Sequence, residues 1–501
     1  MKKILLFSLI FFFIIIATSC HKNEVFNETK NSFDFLEYYP NKDNYYQIFI
    51  RSFADSDGDG IGDLNGINSN LEYLESLGIT ALWLSPFHPS NSYHGYNVTN
   101  YYEVNSDFGN LEDLKNLVKN AKDKSIDIMM DLVINHSSDQ HPWYKEALSN
   151  PNSPFREYYY FNGNTSAYQS FVGGMVDFDP TSELFREEVK SILDFYLDIG
   201  IKKFRIDAAK HMFDKPGLSG SDLNAGLFIL ELNAYLKNKY GPDTMIVSEV
   251  FDYTDVRYNS YLVGSDSIFN FFGYKHIEDK IGFQLNRHYY VSTLDRFYRD
   301  RINFKPDVIF SNFISNHDLD RLKSRIFNLN SRKQMVAAML TMMGNPFVYY
   351  GEELDMEGRR LEGVQVSGYG TAYDEFRRTA FVWGDDRQTS WFPDNYNNGT
   401  LNLEETILNP TAIYHTYKDL LNLRIDYPAL MFGDFEPFED NSYNIQGFYR
   451  NFSHNEYNQR ILVIHNIGKE AETLSPIPNG KVIYGSYDIG AYGTVIILLG
   501  D

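Results

Sequence analysis

The chain has 501 residues, of which 43% are hydrophobic, 16% aromatic and 22% charged, and its formal net charge is −22. A chain of this length can bury one large core and one or two smaller ones. So acidic a surface argues against nucleic acid and anionic lipid as electrostatic partners and favours a neutral ligand.

The first twenty residues have the pattern of a secretory signal. Met1-Lys-Lys is basic, residues 4–16 are apolar, and a small-residue end at 17–20 contains Cys20, the only cysteine of the chain. The apolar run is too short to predict a membrane span. We therefore expect residues 1–19 to be a lipoprotein signal peptide and Cys20 to become the lipidated first residue. A plain signal peptide with an incidental cysteine is the alternative, and Ala17 stands where leucine is commoner.

Residues 20–42 are polar and weakly patterned, which is typical of a tether. From Asn44 onwards, short apolar runs alternate with stretches of helical spacing. The runs at 45–53, 80–85 and 126–134 predict buried strands, and the spacing of apolar residues predicts helices over 67–77 and 111–123. Asn110 is the expected N-cap of the second of these helices.

Residues 137–180 interrupt this alternation. They are rich in Ser, Asn, Gly and Tyr and show no helical period, so we expect a loop-rich subdomain inserted after the third strand. The alternation then resumes with helices predicted near 184–196, 223–240, 333–343 and 412–424 and strands at 203–207, 245–249, 308–314 and 346–350. After Pro428 the pattern changes to short alternating strands.

This order of elements predicts the fold. A long alternation of strands and helices indicates a parallel sheet with crossover helices. So many units favour an α/β fold of the closed (β/α)8 TIM barrel type over an open sheet. We expect the barrel to span 43–136 and 181–427, the inserted subdomain 137–180, and a C-terminal antiparallel β-sandwich 428–501.

The octapeptide Phe204–His211 reads as a short buried strand that runs into a polar loop. Side chains alternate along a strand, so Arg205 and Asp207 share one face while Phe204 and Ile206 share the other. Burying an Arg and an Asp is costly unless they pair or serve a ligand. Beside Arg205 the Asp207 carboxylate should stay ionised, as a nucleophile requires. A structural ion pair at a strand end is the alternative.

Polar residues at the C-terminal ends of barrel strands are the usual site residues. Because Asp207 and Glu249 end successive strands, they should be neighbours on the rim. Their carboxyl groups should lie near the roughly 5–5.5 Å of a retaining glycosidase. Taken singly, each such residue has a simpler reading, such as a solvated loop acid or a hydrogen-bonded turn. The positions of this kind are Tyr96, Asn135-His136, Asp207, Glu249 and His317-Asp318.

Four segments recur together on these strands. They are Asp131-Leu-Val-Ile-Asn-His136, Phe204–His211, Val247-Ser-Glu-Val250 and Phe313-Ile-Ser-Asn-His-Asp318, supported by Tyr93-His-Gly-Tyr-Asn97 and Gly344–Glu352. This set resembles the signature regions of the α-amylase family, glycoside hydrolase family 13, over about residues 44–501. Within the family the chain is most similar to the lipid-anchored, outer-surface α-amylases of Bacteroidetes starch-utilisation systems. The extra starch-binding insert that some of those carry is not evident.

The resemblance implies a role for each site residue. Asp207 would be the nucleophile that forms a covalent glycosyl-enzyme, and Glu249 the general acid and then the base. Asp318 would be the third carboxylate, which holds sugar hydroxyls and favours the oxocarbenium-like transition state. The other implied contacts are hydrogen bonds from His136 and His317 to the sugar, stacking by Tyr96, positioning of Asp207 by Arg205, and Lys210 and His211 on the leaving-group side.

Two positions depart from the family pattern. The family usually has Asp where this chain has Asn97, and commonly Gly where it has Ser248. Neither change removes a catalytic group, but the first should weaken a charge contact with Arg205. The resemblance also bears on specificity, because Ala208 directly after the nucleophile is typical of α-1,4-acting members.

The loop Asp55-Ser-Asp-Gly-Asp-Gly-Ile-Gly-Asp63 predicts a calcium site. Its carboxylates and the Ile61 carbonyl are hard oxygen ligands at EF-hand-like spacing, although Gly66 stands where an EF-hand has its bidentate Glu. The resemblance gives this calcium a structural role, and a solvated acidic loop is the alternative. A second calcium, as in many amylases, would use Asn135 and a carboxylate of the inserted subdomain such as Asp177. The ligands predicted for the first calcium are Asp55, Asp57, Asp59, Ile61 and Asp63.

The leading hypothesis is an endo-acting, retaining hydrolase of α-1,4-glucosidic bonds in starch, glycogen and malto-oligosaccharides. We expect it to be lipid-anchored to the outer membrane at the surface of a Gram-negative bacterium, beside other starch-utilisation proteins and without a nucleic-acid partner. The alternatives are a transglycosylating or oligosaccharide-trimming member of the same family and, as a different class, a non-catalytic glycan-binding protein. A metal-dependent hydrolase is disfavoured because the rim residues lack transition-metal spacing.

Overall fold

The computed structural model describes residues 35, 38–218, 220–393, 397–475 and 478–500. The predicted signal peptide and Cys20 lie outside these residues. None of the described helices is both long enough and apolar enough to cross a membrane. The strands up to residue 372 are β1 (Tyr45–Ile48), β2 (Ala81–Leu84), β3 (Asp127–Leu132), β4 (His136–Ser138), β5 (Met175–Asp177), β6 (Lys203–Ile206), β7 (Met245–Ser248), β8 (Ser267–Phe269), β9 (Ile309–Asn312), β10 (Asn345–Tyr349), β11 (Val364–Val366) and β12 (Gly370–Ala372).

Eight of these strands close into a parallel barrel in the order β1-β2-β3-β6-β7-β8-β9-β10, with β10 pairing back onto β1. The predicted (β/α)8 fold is confirmed. Along β6, Lys203 and Arg205 point into the barrel, whereas Phe204 and Ile206 join the large apolar core between the barrel and its helices. The predicted alternation therefore holds at the strand that carries the central motif.

Helices of very different length cover the barrel, and the helix Leu111–Asp123 has the bounds that its apolar spacing predicts. Asn110 caps it by accepting the backbone N–H groups of Glu112 and Asp113. The helices are α1 (Ile50–Phe53), α2 (Leu64–Ser69), α3 (Leu71–Leu77), α4 (Leu111–Asp123), α5 (Pro142–Ser149), α6 (Glu183–Ile199), α7 (Ser221–Tyr240), α8 (Tyr258–Leu262), α9 (Phe271–Ile277), α10 (Tyr290–Phe304), α11 (Leu322–Arg325), α12 (Leu329–Thr341), α13 (Leu403–Leu408), α14 (Ile413–Asp426) and α15 (Pro428–Phe432).

One local prediction is wrong. Residues 45–53 do not form one strand, because β1 ends at Ile48 and the apolar residues that follow form the short helix α1. The loop-rich segment 137–180 also contains the helix α5, which has eight residues, buries Tyr144 and Ala147, and carries too little periodic signal to be recognised in the sequence. The paired strands β4 and β5 tie this inserted segment together.

Strands after residue 433 form a separate antiparallel unit. Five of them pair in the order β13-β14-β15-β19-β17, and β16 pairs with β18. The hairpin of β14 and β15 turns through Asn455, whose φ of 54° suits a tight two-residue turn. Arg450 on β14 donates to the carbonyls of Thr341 and Met342 and so ties the unit to the barrel. The strands are β13 (Asp434–Pro437), β14 (Ile445–His454), β15 (Tyr457–Asn466), β16 (Glu472–Thr473), β17 (Gly480–Tyr484), β18 (Asp488–Ile489) and β19 (Thr494–Leu499).

Candidate active site

A cavity of about 620 Å³ opens at the C-terminal ends of the barrel strands. Its walls come from the inserted subdomain, the loop after β7 and the segment 360–378, which contains the hairpin of β11 and β12. Arg205 and His317 lie behind the cavity wall and are each 1% exposed. The predicted site residues that line the cavity are Tyr96, His136, Asp207, Lys210, His211, Glu249 and Asp318.

The two carboxylates of the central pair come from adjacent strands. β6 and β7 pair in parallel with Ile206 opposite Ser248, so Asp207 and Glu249 follow at equivalent positions, and their predicted adjacency is confirmed. Ala208 has a left-handed backbone conformation, with φ 47°, and its N–H donates to Glu249 Oε2 at 3.0 Å. This conformation is rare for a residue with a side chain.

Arg205 lies at the centre of the carboxylates. Its Nη1 donates to Asp207 Oδ1 at 2.8 Å and to Asp131 Oδ1 at 2.6 Å, and its Nη2 lies 2.8 Å from Glu249 Oε2. A guanidinium is always charged and offers several donors in one plane, so it can hold three carboxylates at once. The sequence predicts the contact with Asp207, and the structure adds the other two.

Asp131 belongs to the site but is absent from the predicted site residues. It is buried on β3, where its Oδ2 accepts the Tyr96 hydroxyl at 3.0 Å and Trp83 Nε1 at 3.2 Å. The available signal was a carboxylate in the middle of a largely apolar strand, since such a group is rarely buried without partners. Asp131 fixes Arg205 and Tyr96 from inside the barrel.

The pKa of Asp207 is raised well above the ordinary aspartate value. Burial is the largest cause and the neighbouring carboxylates, Glu249 foremost, add to it, whereas Arg205 lowers the pKa. The expectation that Arg205 keeps Asp207 ionised counts only one of these causes, and burial and the other carboxylates act against it.

Asp318 faces the cavity from the loop after β9. Its Oδ2 lies 3.0 Å from His317 Nε2, and its Oδ1 accepts Arg378 Nη2 at 2.9 Å. Gln47 Nε2 donates to His317 Nδ1 at 2.7 Å, which leaves the ring proton on Nε2, 2.7 Å from the Tyr96 hydroxyl oxygen. Burial raises the pKa of Asp318, but His317 and Arg378 outweigh burial and hold that pKa well below its usual range. Asp318 is therefore ionised.

Two neutral imidazoles line the cavity. Burial lowers the pKa of His136 to about 4 and that of His94 to about 3. His136 Nδ1 lies 3.2 Å from Asn135 Nδ2, and its buried Nε2 has no hydrogen-bond partner among the described residues. An unpaired buried donor on a cavity wall is suited to a ligand hydroxyl. His94 is a cavity residue that sequence reasoning did not single out, although it stands in the supporting segment 93–97.

Lys210 and His211 follow the nucleophile position on the same cavity wall as Phe251. Lys210 Nζ donates to the Phe251 carbonyl at 3.4 Å, and the His211 ring lies 4.9 Å from the ring of Phe171 in the inserted subdomain. Burial lowers the pKa of His211. With Phe251 41% exposed, this wall offers an aromatic face to a flat ligand.

The two departures from the family pattern have local explanations. Asn97 Nδ2 donates to the Gly173 carbonyl at 2.8 Å and so binds the inserted subdomain, while Arg205 has its three carboxylate partners elsewhere. Ser248 Oγ lies 2.7 Å from Ser265 Oγ in the core. Neither position removes a group from the cavity.

The acidic loop has the donor chemistry of a calcium site. Carboxylate oxygens of Asp55, Asp57 and Asp63 lie within 4.8 Å of one another. Close carboxylates repel unless a cation joins them, and their hard oxygens suit Ca²⁺. Asp59 is outside this group, and its Oδ1 accepts the Ile61 N–H at 2.7 Å. Three of the five predicted ligands thus lie close enough to one another to share a cation.

A lysine occupies the place predicted for a second calcium. Lys215 Nζ lies 2.7 Å from Asp177 Oδ2, 3.2 Å from Asn135 Oδ1 and 3.4 Å from the His211 carbonyl oxygen. The side chains of Lys215 and Asp177 are fully buried. Because the ammonium already supplies the positive charge, the prediction of a second calcium at this position is wrong.

Residues 47–433 match the family model described as alpha amylase, catalytic domain. The chain belongs to the α-amylase family. Alpha-amylase 3 of Dictyoglomus thermophilum is 35% identical and covers 90% of this chain and 92% of its own length. Alpha-amylase SusG of Bacteroides thetaiotaomicron is 25% identical and covers 91% of each.

The crystal structure of an α-amylase from H. orenii superposes with a TM-score of 0.78 at 29% identity and covers 92% of this chain and 99% of that chain. Other similar proteins are named oligo-1,6-glucosidase and glucan 1,6-alpha-glucosidase, at 26% and 28% identity. The α-amylase family therefore accounts for the barrel and its rim of carboxylates, and it includes members named for different bonds.

Proposed function

We propose that this α-amylase family protein hydrolyses internal α-1,4-glucosidic bonds of starch, glycogen and malto-oligosaccharides with retention of configuration. The observation that carries the proposal is the Arg205 guanidinium, which holds Asp207 and Glu249 side by side on the cavity wall. Ionised Asp318 lines the same cavity. A pair of carboxyl groups and a third carboxylate are what double displacement at an anomeric carbon needs.

In the first step Asp207 attacks the anomeric carbon and the glycosidic bond breaks, while Glu249 gives its proton to the departing oxygen. Glu249 Oε2 is held by Arg205 and the Ala208 N–H, which leaves Oε1 to carry that proton. In the second step Glu249 takes a proton from water, and the hydroxide attacks the anomeric carbon and releases Asp207. Two displacements restore the original configuration.

The charges around the cavity suit both steps. Two guanidinium groups, those of Arg205 and Arg378, face four carboxylates in this cluster: Asp131, Asp207, Glu249 and Asp318. The excess of negative charge favours one bound proton, which is then available for transfer. Ionised Asp318 stabilises the positive charge that develops on the sugar ring. The free Nε2 of neutral His136 would donate to a sugar hydroxyl in the reacting position.

Cleavage inside an α-1,4-linked chain is supported by the cavity volume of about 620 Å³, which leaves room for more than one sugar. Ala208 after the nucleophile and a relative named alpha-amylase point the same way. The relatives named oligo-1,6-glucosidase make removal of α-1,6-linked glucose from short chains the second candidate.

Product analysis tests the proposal. The chain without residues 1–20 is incubated with amylose, pullulan, maltotriose and isomaltotriose, and products are followed by chromatography together with loss of iodine staining. The proposal expects iodine staining of amylose to fall well before extensive release of glucose. Release of glucose from isomaltotriose, with amylose left intact, would favour the α-1,6-glucosidase candidate. Hydrolysis of amylose by Asp207→Asn at the wild-type rate would refute the role of Asp207 as the nucleophile.

We also propose that the acidic loop holds one structural Ca²⁺ through Asp55, Asp57 and Asp63, with Asp59 and the Ile61 carbonyl as further ligands when the ion is bound. The ion would neutralise the mutual repulsion of these groups. The loop is linked to the cavity wall through Trp391, whose N–H donates to the Gly60 carbonyl at 3.0 Å and whose ring stacks on that of Tyr93 in the wall. Calcium content by atomic spectroscopy, before and after chelation, checks the assignment.

Location is likewise a proposal. The basic, apolar and cysteine-ended segment 1–20 supports lipidation of Cys20 and anchorage to the outer membrane at the cell surface, beside other starch-utilisation proteins. Mass spectrometry of the N-terminal peptide from the full chain should show a diacylglyceryl group on Cys20. A Cys20→Ser variant that remains bound to the membrane would contradict this location. Failure of a protease added to intact cells to digest the protein would contradict it as well.

A further inference from the structure

Arg378 is a buried cation outside every segment that the sequence singled out. It follows the hairpin of β11 and β12 and makes three hydrogen bonds into the site. Nη2 donates to Asp318 Oδ1 at 2.9 Å, and Nε donates to the His317 carbonyl at 3.0 Å. Nη1 donates to the Tyr93 hydroxyl oxygen at 2.8 Å. One guanidinium therefore ties together the two residues of the β9 loop and the segment 93–97.

The placement of this cation is specific. Arg378 is 4% exposed, whereas the Asp318 side chain that it pairs with remains 40% exposed, toward the cavity. Its guanidinium also lies against the rings of Phe49 and Tyr93, with each ring centre 5.6 Å away. A guanidinium so far from water is costly unless it is paired with good geometry. Arg378 thus stands behind the carboxylate and holds it, while the carboxylate faces the ligand.

Two arginines divide the carboxylates between them. Arg205 contacts Asp207 and Glu249, the pair that makes and breaks bonds in the proposed function. Arg378 contacts Asp318. Without Arg378, Asp318 would retain His317 Nε2 at 3.0 Å, a single donor that does not fix the plane of the carboxylate.

We propose that Arg378 is a positioning residue of the hydrolytic reaction, which orients Asp318 and keeps it charged toward the reacting sugar ring. This inference rests on the proposed function, since it assigns Arg378 to the carboxylate that stabilises the transition state. Arg378 acts through Asp318, and a loss of Arg378 should be felt in the transition state more than in the binding of unreacted substrate.

The test compares Arg378→Gln with Arg377→Gln on malto-oligosaccharides. Arg377 is the matched control, because it pairs with Asp320 at 2.8 Å and Asp374 at 2.9 Å and does not line the cavity. Arg378→Gln should lower kcat about 100-fold, as expected for a misplaced catalytic group, with KM within about threefold. Arg377→Gln should keep kcat within about twofold, since its two partly exposed pairs do not include a carboxylate of the proposed reaction.

A double-variant cycle separates positioning from general damage. Asp318→Asn is combined with Arg378→Gln, and α-maltosyl fluoride serves as a substrate whose leaving group needs no proton from Glu249. If Arg378 acts through Asp318, adding Arg378→Gln to Asp318→Asn should lower kcat little further. The loss of kcat in the Arg378→Gln single variant should also persist with α-maltosyl fluoride as the substrate. Equal losses in both backgrounds, or a rise in KM alone, would overturn the inference.

Arg378→Lys keeps the charge but not the three-way geometry, so it should recover about tenfold of the lost kcat. If Arg378→Gln does not fold, Arg378→Lys takes its place in the cycle with the same criteria. A wild type without activity on any α-glucan would refute the proposed function itself. The role of Arg378 alone would be refuted if the wild type is active, Asp318→Asn lowers kcat and Arg378→Gln does not.

Discussion

Removal of the Lys215 ammonium tests whether a lysine replaces a cation between the barrel and the inserted subdomain. Lys215→Met keeps the bulk of the side chain and leaves Asp177 buried and without its counter-charge. Breaking one partner of a buried ion pair costs about 3–5 kcal/mol. The unfolding entropy of a chain of this size is about 1 kcal/mol per kelvin, so the loss corresponds to a fall in Tm of about 3–5 °C.

Calorimetry or circular dichroism supplies the measurement. Lys124→Met is the control, because its pair with Glu75 is on the surface and should contribute little to stability. The double variant of Lys215→Met and Asp177→Asn should recover most of the loss, since no charge is then left unpaired.

A smaller substitution adds a second readout. Lys215→Ala leaves space beside Asn135 Oδ1, Asp177 Oδ2 and the His211 carbonyl, three hard oxygens that suit Ca²⁺. Added Ca²⁺ should therefore raise the Tm of this variant more than that of the wild type, and the contribution of the acidic loop cancels in the comparison. An unchanged Tm for Lys215→Met, or an equal response to Ca²⁺ in both proteins, would refute the reasoning.

Three further outcomes are expected. Burial raises the pKa of Glu352 to about 7, so the folded state keeps a proton that the unfolded chain loses near pH 4.5. The free energy of unfolding should therefore fall as the pH rises from about 4.5 to about 7. Glu352→Gln should remove up to about 3 kcal/mol of this fall, measured as Tm against pH. If the acidic loop binds Ca²⁺, chelation should lower the free energy of unfolding by about 2.7 kcal/mol for an ion at 100 times its Kd, and Tm should fall with it. Asp57→Asn, at an exposed ligand, should weaken this response. Asp131→Asn should lower kcat by at least about tenfold, because it loosens Arg205 and Tyr96 together, whereas an unchanged kcat would show that Asp131 only fills the barrel.

The sequence predicts the features that depend on the spacing of apolar residues along the chain and on the order of the strands. Alternation along 203–207 places Arg205 and Asp207 on one face, and the parallel register then brings Glu249 beside Asp207. Short elements carry too little periodic signal, which explains the unforeseen α5 and the strand β8 of only three residues. The helix α10 was also not predicted, although its buried residues recur at helical spacing.

Partners that come from distant parts of the chain could not be predicted in the same way. Arg378 reaches Asp318 across 60 residues, and Lys215 reaches Asp177 across 38. Both lie in loops, where no period marks them. The net pKa of Asp207 depends on burial and on three other carboxylates, so one neighbour in the sequence could not decide its direction.

The central claim is that Asp207 forms a covalent bond to the sugar, and trapping that intermediate tests it most directly. A fluorinated maltosyl fluoride is added to the wild type, because the glycosyl-enzyme forms from it readily but is hydrolysed slowly. The protein is then digested and analysed by mass spectrometry. The account predicts one glycosyl group on the peptide that contains Asp207 and no labelling of Asp207→Asn. A glycosyl group on another residue, or an active wild type that is never labelled, would contradict it.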